Sequence, residues 1–199
     1  MLTFDEATHT YRWCGELVPG VSGIIKSTGL APDYTKIDPA TLARAAARGA
    51  YVDQCCALLD RGELDEPALH PETVPYVQAW QLCKRELGFR PLRHQGRIYH
   101  PTLRYAGSYD VDVEDAQGPI RVDLKCTWKI ARTYQLQLAA YTTPGLVQAD
   151  GTPDPTPSRR AVVQLKRDGS YKIAWFTDIA DDDAWCAAIV LYHWGRRVA

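Results

Sequence analysis

The chain has 199 residues, of which 46% are hydrophobic and 24% charged, with a formal net charge of -1. These values fit an ordinary globular protein long enough to bury a core, and they exclude a polybasic or histone-like binder. A nucleic-acid partner would have to meet positive charge gathered locally.

No apolar run approaches the roughly 18 residues of a membrane-spanning helix. The opening MLTFDEATHTYRW has neither the basic start nor the apolar centre of a signal peptide. A soluble, cytoplasmic protein with no membrane partner is expected. Residues 2–18 read as a small hairpin with its turn at Cys14-Gly15, broken by Pro19 and Gly20. VSGIIKSTGL follows as a short helix, with Ser22 as cap and Gly29 as stop. A long helix opens at Asp38-Pro39, an N-cap followed by proline at the first helical position, and runs to Gly62. A second spans Pro71 to Gly88.

Extended segments are expected over 91–99, about 102–114 and 119–126, then a helix over 131–143. TPGLVQADGTPDPTPS is rich in breakers and reads as a surface loop. RRAVVQL and YKIAWFTDI form a hairpin, and Asp181–Asp183 begin a last helix with Trp185, Ile189 and Tyr192 on one side. This order is α/β, a mixed sheet between helices. One domain over 1–199 is expected, with 1–37 as hairpin and short helix and 38–199 as core. Six cysteines occur without CxxC spacing, and Cys55 and Cys56 are adjacent. Buried, reduced thiols are expected.

Chemistry concentrates in GSYDVDVEDAQGPIRVDLKCT, residues 107–127. Side chains alternate along a strand. Val111 and Val113 share one face with Val122 and Leu124 across the turn; Asp110, Asp112, Glu114, Arg121, Asp123 and Lys125 share the other. A turn centred on Ala116-Gln117 sets Asp112 opposite Arg121 and Asp110 opposite Asp123. The first pair is complementary. The second is a like-charge pair that destabilises a sheet unless a shared proton or a cation neutralises it. Carboxylates without His or Cys suit a hard ion such as Mg²⁺ or Mn²⁺. Lys125 on the same face can orient a water or stabilise a phosphoryl charge. The other reading of this face is a solvated surface laced with salt bridges.

Gly107 and Asp110, then Asp123 and Lys125 in DLK, then Gln137 and Tyr141 in QLAAY, resemble the PD-(D/E)xK nuclease superfamily, most closely its RecB-like and phage-type exonuclease branch. The pattern there is G-x-x-D, (D/E)-x-K, then Q-x-x-x-Y on the next helix. FDEATHTYRW and VPGVSGII are similar to the opening of many phage-borne members. The resemblance implies a restriction-endonuclease-like core in the order α-β-β-β-α-β. It also implies a Mg²⁺- or Mn²⁺-dependent deoxyribonuclease, an exonuclease used in phage or bacterial recombination or repair.

In that reading Asp110, Asp123 and the Leu124 carbonyl hold metal and Lys125 assists the attacking water. Gln137 and Tyr141 support the site or touch DNA, or else pack on the sheet. Members carry His or Glu after R-G-x-x-x on the first long helix; here RGAYVD puts Asp53 there. Arg48, Lys26, Arg44, Lys129 and Arg132 are candidate phosphate contacts, and Trp128 a candidate stacking residue, core residue or partner surface. Only Cys186 follows residue 126, so the family's Fe–S cluster is not expected. DNA, a recombination partner protein and further copies of the chain are the partners implied. Two other readings share the fold or the carboxylates: a catalytically silent DNA-binding or assembly subunit, and a hydrolase of small phosphate esters.

Overall fold

A computed structural model describes residues 1–196. Strands β1 (Leu2–Asp5), β2 (Thr10–Trp13) and β3 (Glu16–Val18) form a three-stranded antiparallel sheet, where a single hairpin was expected. The extra reversal lies at 6–9, where Asp5 Oδ1 accepts from the N–H groups of Ala7 (2.9 Å) and Thr8 (3.3 Å). Helix α1 (Val21–Ser27) starts from Gly20 with no side-chain cap, so Ser22 lies inside it instead of capping it.

Helix α2 (Pro39–Arg61) has the expected ends. The Asp38 side chain accepts from the Thr41 N–H at 2.9 Å, and Gly62 closes it in the left-handed conformation. A 3₁₀ turn (Glu66–Ala68) leads to α3 (Val74–Leu87). It opens three residues later than Pro71 suggests, with Pro75 in its first turn.

The main sheet contains β4 (Arg90–His100), β5 (Tyr105–Asp115), β6 (Gly118–Lys125), β7 (Val147–Gln148), β8 (Arg159–Leu165) and β9 (Tyr171–Trp175). Helix α4 (Thr133–Tyr141) follows β6, and α5 (Ala180–Gly195) ends the described chain. The strand order is β7-β4-β5-β6-β8-β9. Every neighbouring pair is antiparallel except β6–β8, whose parallel pairing follows from the crossover through α4. Helices α2 and α3 cover one face, packing Val52, Cys56, Trp80 and Cys83 on Val111, Val113, Ile120 and Val122. Helices α1, α4 and α5 cover the other, with Ile24, Leu138, Tyr141 and Trp185 on Ile98, Tyr105 and Tyr109. The expected mixed sheet between helices is present.

Two expectations are corrected. The breaker-rich stretch after α4 is not merely a surface loop: it contributes β7 and buries the Asp154 carboxylate. The charged face of β5 and β6 is also not a solvated surface, because α4 covers it. Arg121 is 0% and Asp112 5% exposed. Arg121 donates to both oxygens of Asp112 (2.8 and 2.9 Å), to Asp154 Oδ2 (2.9 Å) and to the Tyr141 carbonyl. Arg93 adds bonds to Asp154 (2.7 Å) and Asp112 (3.2 Å). The outer carboxylates are paired at the rim, Glu114 with Arg90 and Asp115 with Arg159.

Candidate active site

The β5–β6 ladder has the expected register, with Asp112 opposite Arg121 and Val111 opposite Val122. It stops there, one step before Asp110 and Asp123 would pair. On the other side of β5, the pairing with β4 runs through His94–Val111 and Gly96–Tyr109 and skips Gln95 and Asp110. Gln95 has φ +52°. Tyr109 packs in the α1/α4/α5 core and Val111 in the α2/α3 core, so side-chain alternation breaks between them. The register is the same on both sides of this gap, so no residue is inserted; the alternation turns over at Asp110 and the facing Gln95. Asp110 Oδ2 accepts from the Leu124 N–H at 2.7 Å.

Asp123 is 1% exposed, and neither of its oxygens has a hydrogen-bond donor. The Lys125 ammonium lies 2.7 Å from Asp123 Oδ2, an ionic contact outside hydrogen-bond geometry, and 5.2 Å from the centre of the Tyr134 ring. Asp53 reaches the same place from α2. Its Oδ2 accepts from Gln95 Nε2 at 2.9 Å, while its buried Oδ1 has no partner.

The electrostatics follow from this crowding. Burial first, and then the neighbouring Asp123 charge, push the Asp110 carboxyl well above the ordinary carboxylate range. Burial also raises the Asp53 carboxyl, against the lowering effect of Gln95, His94 and Lys125. Burial acts to lower the Lys125 ammonium, but Asp123 and Asp110 outweigh it and hold it above its ordinary value.

Gln137 and Tyr141 form a unit behind this group. Gln137 Nε2 lies 3.1 Å from the Tyr141 hydroxyl. Tyr141 is 3% exposed and packs in the core, so the structure places it behind the site and not on its open surface. Gly107 is explained by the same ring, since a Cβ there would come within 2.5 Å of Tyr141 Cε1.

A cleft of about 1240 Å³ opens above the site, with Asp53, Asp110, Leu124 and Lys125 among its lining. Arg48, Lys129, Arg132 and Trp128 also line it, whereas Lys26 and Arg44 do not. Lys26 is exposed on α1, and the Arg44 guanidinium donates to Thr41 Oγ1 at 3.4 Å. The sequence reading missed Gln95, Tyr34, Tyr134 and Phe176. For Gln95 the Gln-Gly step is a faint signal of a left-handed residue; the aromatic residues come from three separate segments and carry no shared pattern. It also missed a neighbouring cluster in which Asp60 receives Trp80 Nε1 (2.9 Å), His94 Nε2 (2.8 Å) and the Lys84 ammonium. Burial would raise the Asp60 carboxyl, but these three partners outweigh it and hold it below its ordinary value.

The donors present fit a hard divalent ion. They are carboxylate oxygens, several buried and unpartnered, beside a cleft that admits water. Among the described residues no three His, Cys, Asp or Glu side chains converge into a ready-made metal cage. Asp53, Asp110 and Asp123 thus do not converge as a three-carboxylate ligand set in this structure, and Mg²⁺ needs only one or two carboxylates with waters and substrate oxygens completing its shell. Among the described residues no helix is long and apolar enough to cross a membrane. The thiols of Cys55, Cys56 and Cys83 are buried, while Cys14 and Cys186 are exposed.

No protein-family model matches the chain, and no curated protein does. Among solved structures it is similar to an alkaline exonuclease from Laribacter hongkongensis. The two share 18% identity over 61% of this chain and 70% of that one, with a TM-score of 0.28. An overlap this low carries nothing about function, which rests on the chemistry of the site itself.

Proposed function

We propose that the protein is a divalent-metal-dependent nuclease that hydrolyses phosphodiester bonds in DNA. The observation that carries this reading is Asp123: a buried carboxylate with no hydrogen-bond donor, held only by its ion pair with Lys125, next to Asp110 and beside a cleft that Asp110, Lys125, Arg48, Lys129 and Arg132 line. A buried carboxylate without hydrogen-bond donors costs stability, and such an arrangement beside a cleft marks a candidate functional site.

Asp110 and Asp123, with the Leu124 carbonyl, would hold Mg²⁺ or Mn²⁺, and Asp53 stands beside them. A bound divalent ion supplies a water of lowered pKa and positive charge for the phosphoryl oxygens. The protein's own groups do the rest. Lys125, kept protonated by Asp123 and Asp110, offers its ammonium to the charge that develops on the phosphoryl group. Gln95 fixes Asp53, and the Leu124 N–H fixes Asp110. Arg48, Lys129 and Arg132 receive backbone phosphates.

The test is a digestion panel of 5′-labelled, 3′-labelled and circular DNA, duplex and single-stranded, with Mg²⁺, Mn²⁺ or EDTA. The expected result is metal-dependent loss of linear DNA with circles spared, which is the exonuclease outcome. Cutting of circles would make the protein an endonuclease. Failure to degrade any linear DNA with either ion would overturn the hydrolytic reading in favour of a catalytically silent DNA-binding subunit.

A further inference from the structure

The cleft combines two chemistries: apolar and aromatic side chains make up much of its lining, and Arg48, Lys129 and Arg132 line it as well. Helix α2 presents Leu42, Ala46 and Gly49 on one side, and Tyr134 and Phe176 are part of the remaining lining. A Cβ at Gly49 would meet nothing within 4 Å, so this wall stands clear of its surroundings. Trp128 also lines the cleft, next in sequence to Lys129, and at 96% it is the most exposed large hydrophobic residue among the described residues. An indole left this open forgoes a large gain from burial within the chain.

An intact duplex presents phosphates and sugars outward and keeps its base faces stacked inside, so apolar walls give it little to bind. A single strand presents both base faces that stack on aromatic side chains and phosphates that pair with cations. Walls bearing Tyr134 and Phe176, an open Trp128, and the cations Arg48, Lys129 and Arg132 match the second ligand.

We propose that the cleft takes a single, unstacked strand of nucleic acid, with a base laid on Trp128 and its phosphates on Arg48, Lys129 and Arg132. The site therefore acts on single strands or frayed ends and not on the interior of a closed duplex. This inference rests on the phosphodiesterase reading for the cleavage it implies, but its binding test does not.

The wild-type protein in EDTA is titrated by fluorescence anisotropy with labelled oligo-dT, labelled oligo-rU and a duplex closed by hairpins at both ends. Each is about 20 nucleotides or base pairs long, which exceeds the site size of a typical single-strand groove. One or both single strands are expected to bind at least about tenfold tighter than the closed duplex, and the two arms separate DNA from RNA. Trp128→Ala is expected to weaken single-strand binding about tenfold, the loss of one base stack, and Trp128→Phe to retain most of it. Equal or tighter binding of the closed duplex, or unchanged single-strand binding by Trp128→Ala, overturns the inference. Trp128-dependent single-strand binding without cleavage in Mg²⁺ or Mn²⁺ leaves it standing and overturns the hydrolytic reading. Cleavage confined to duplex interiors does the reverse.

Discussion

On β5 and β6, Asp112 faces Arg121 and, two residues further along, Asp110 lies beside Asp123. Asp112 and Asp123 are almost equally buried, at 5% and 1% exposed. Around Asp112, Arg121 and Asp154 every carboxylate oxygen has a donor. Neither oxygen of Asp123 has one, and only the Lys125 ion pair holds it. Burial costs similar desolvation in both places, so the first cluster is built to be stable and the second to be available. Tyr141 joins them: its carbonyl accepts from Arg121, and its hydroxyl lies in electrostatic range of Asp123 and Lys125.

The largest effect is expected where the satisfied cluster is broken. Arg121→Met leaves two buried carboxylates, Asp112 and Asp154, to share the single guanidinium of Arg93 and should cost about 3–5 kcal/mol, read as a lower urea midpoint. An unchanged midpoint would mean that the cluster relaxes into water. The open cluster should respond the opposite way. Asp123→Asn and Lys125→Ala should each lower cleavage by about 10²–10³-fold, while the unfolding free energy of Asp123→Asn from urea titration stays within about 1 kcal/mol of wild type. Retained cleavage in both variants would move the active site elsewhere. Gly107→Ala drives a methyl into the Tyr141 ring and should cost about 1–3 kcal/mol.

The smallest effect has the opposite sign. The native carboxyl of Asp110 is raised above its ordinary 3.8, so the folded state holds that proton more tightly than the unfolded chain does. Its contribution to stability therefore falls as pH rises from about 4 through the raised native value, and stays lower at neutral pH. Asp110→Asn removes that loss and keeps an oxygen for the Leu124 N–H. In EDTA at neutral pH its melting temperature should exceed wild type by about 2–4 °C per kcal/mol relieved. The difference should vanish at low pH, where Asp110 is protonated anyway. A variant that melts lower at neutral pH would contradict the crowding described here.

Where the chain signals locally, sequence and structure agree. Asp38-Pro39 and Gly62 bound α2 because caps act within a turn. The two-residue turn at Ala116-Gln117 fixes the β5–β6 register because period-2 alternation allows no slip. What was illegible depends on distant contacts. Arg121 and Asp112 read only as a complementary cross-strand pair, because nothing in their own stretch announces that α4 will cover them. Asp154 sits among prolines and glycines and is buried by partners on β4 and β6. The early end of the Asp110–Asp123 pairing accompanies a left-handed residue on β4, a strand away from either aspartate. Gly107 could be matched to a motif by eye, but its reason, the Tyr141 ring, is visible only in the fold.

Helix α2 carries one more consequence. Residues 39–51 are exposed or half-buried, and its buried residues are Val52, Cys55, Cys56 and Ala57, all in the second half. The first half is rich in alanine and is held by intrinsic helix propensity, which for so short a segment is marginal in water. Yet that half supplies Leu42, Ala46 and Gly49 to the cleft. Amide hydrogens there should exchange with solvent far sooner than those of residues 52–57, through openings that leave the sheet intact. The width of the cleft thus belongs to a local helix–coil equilibrium, separate from the cooperative unfolding that fixes Asp110, Asp123 and Lys125.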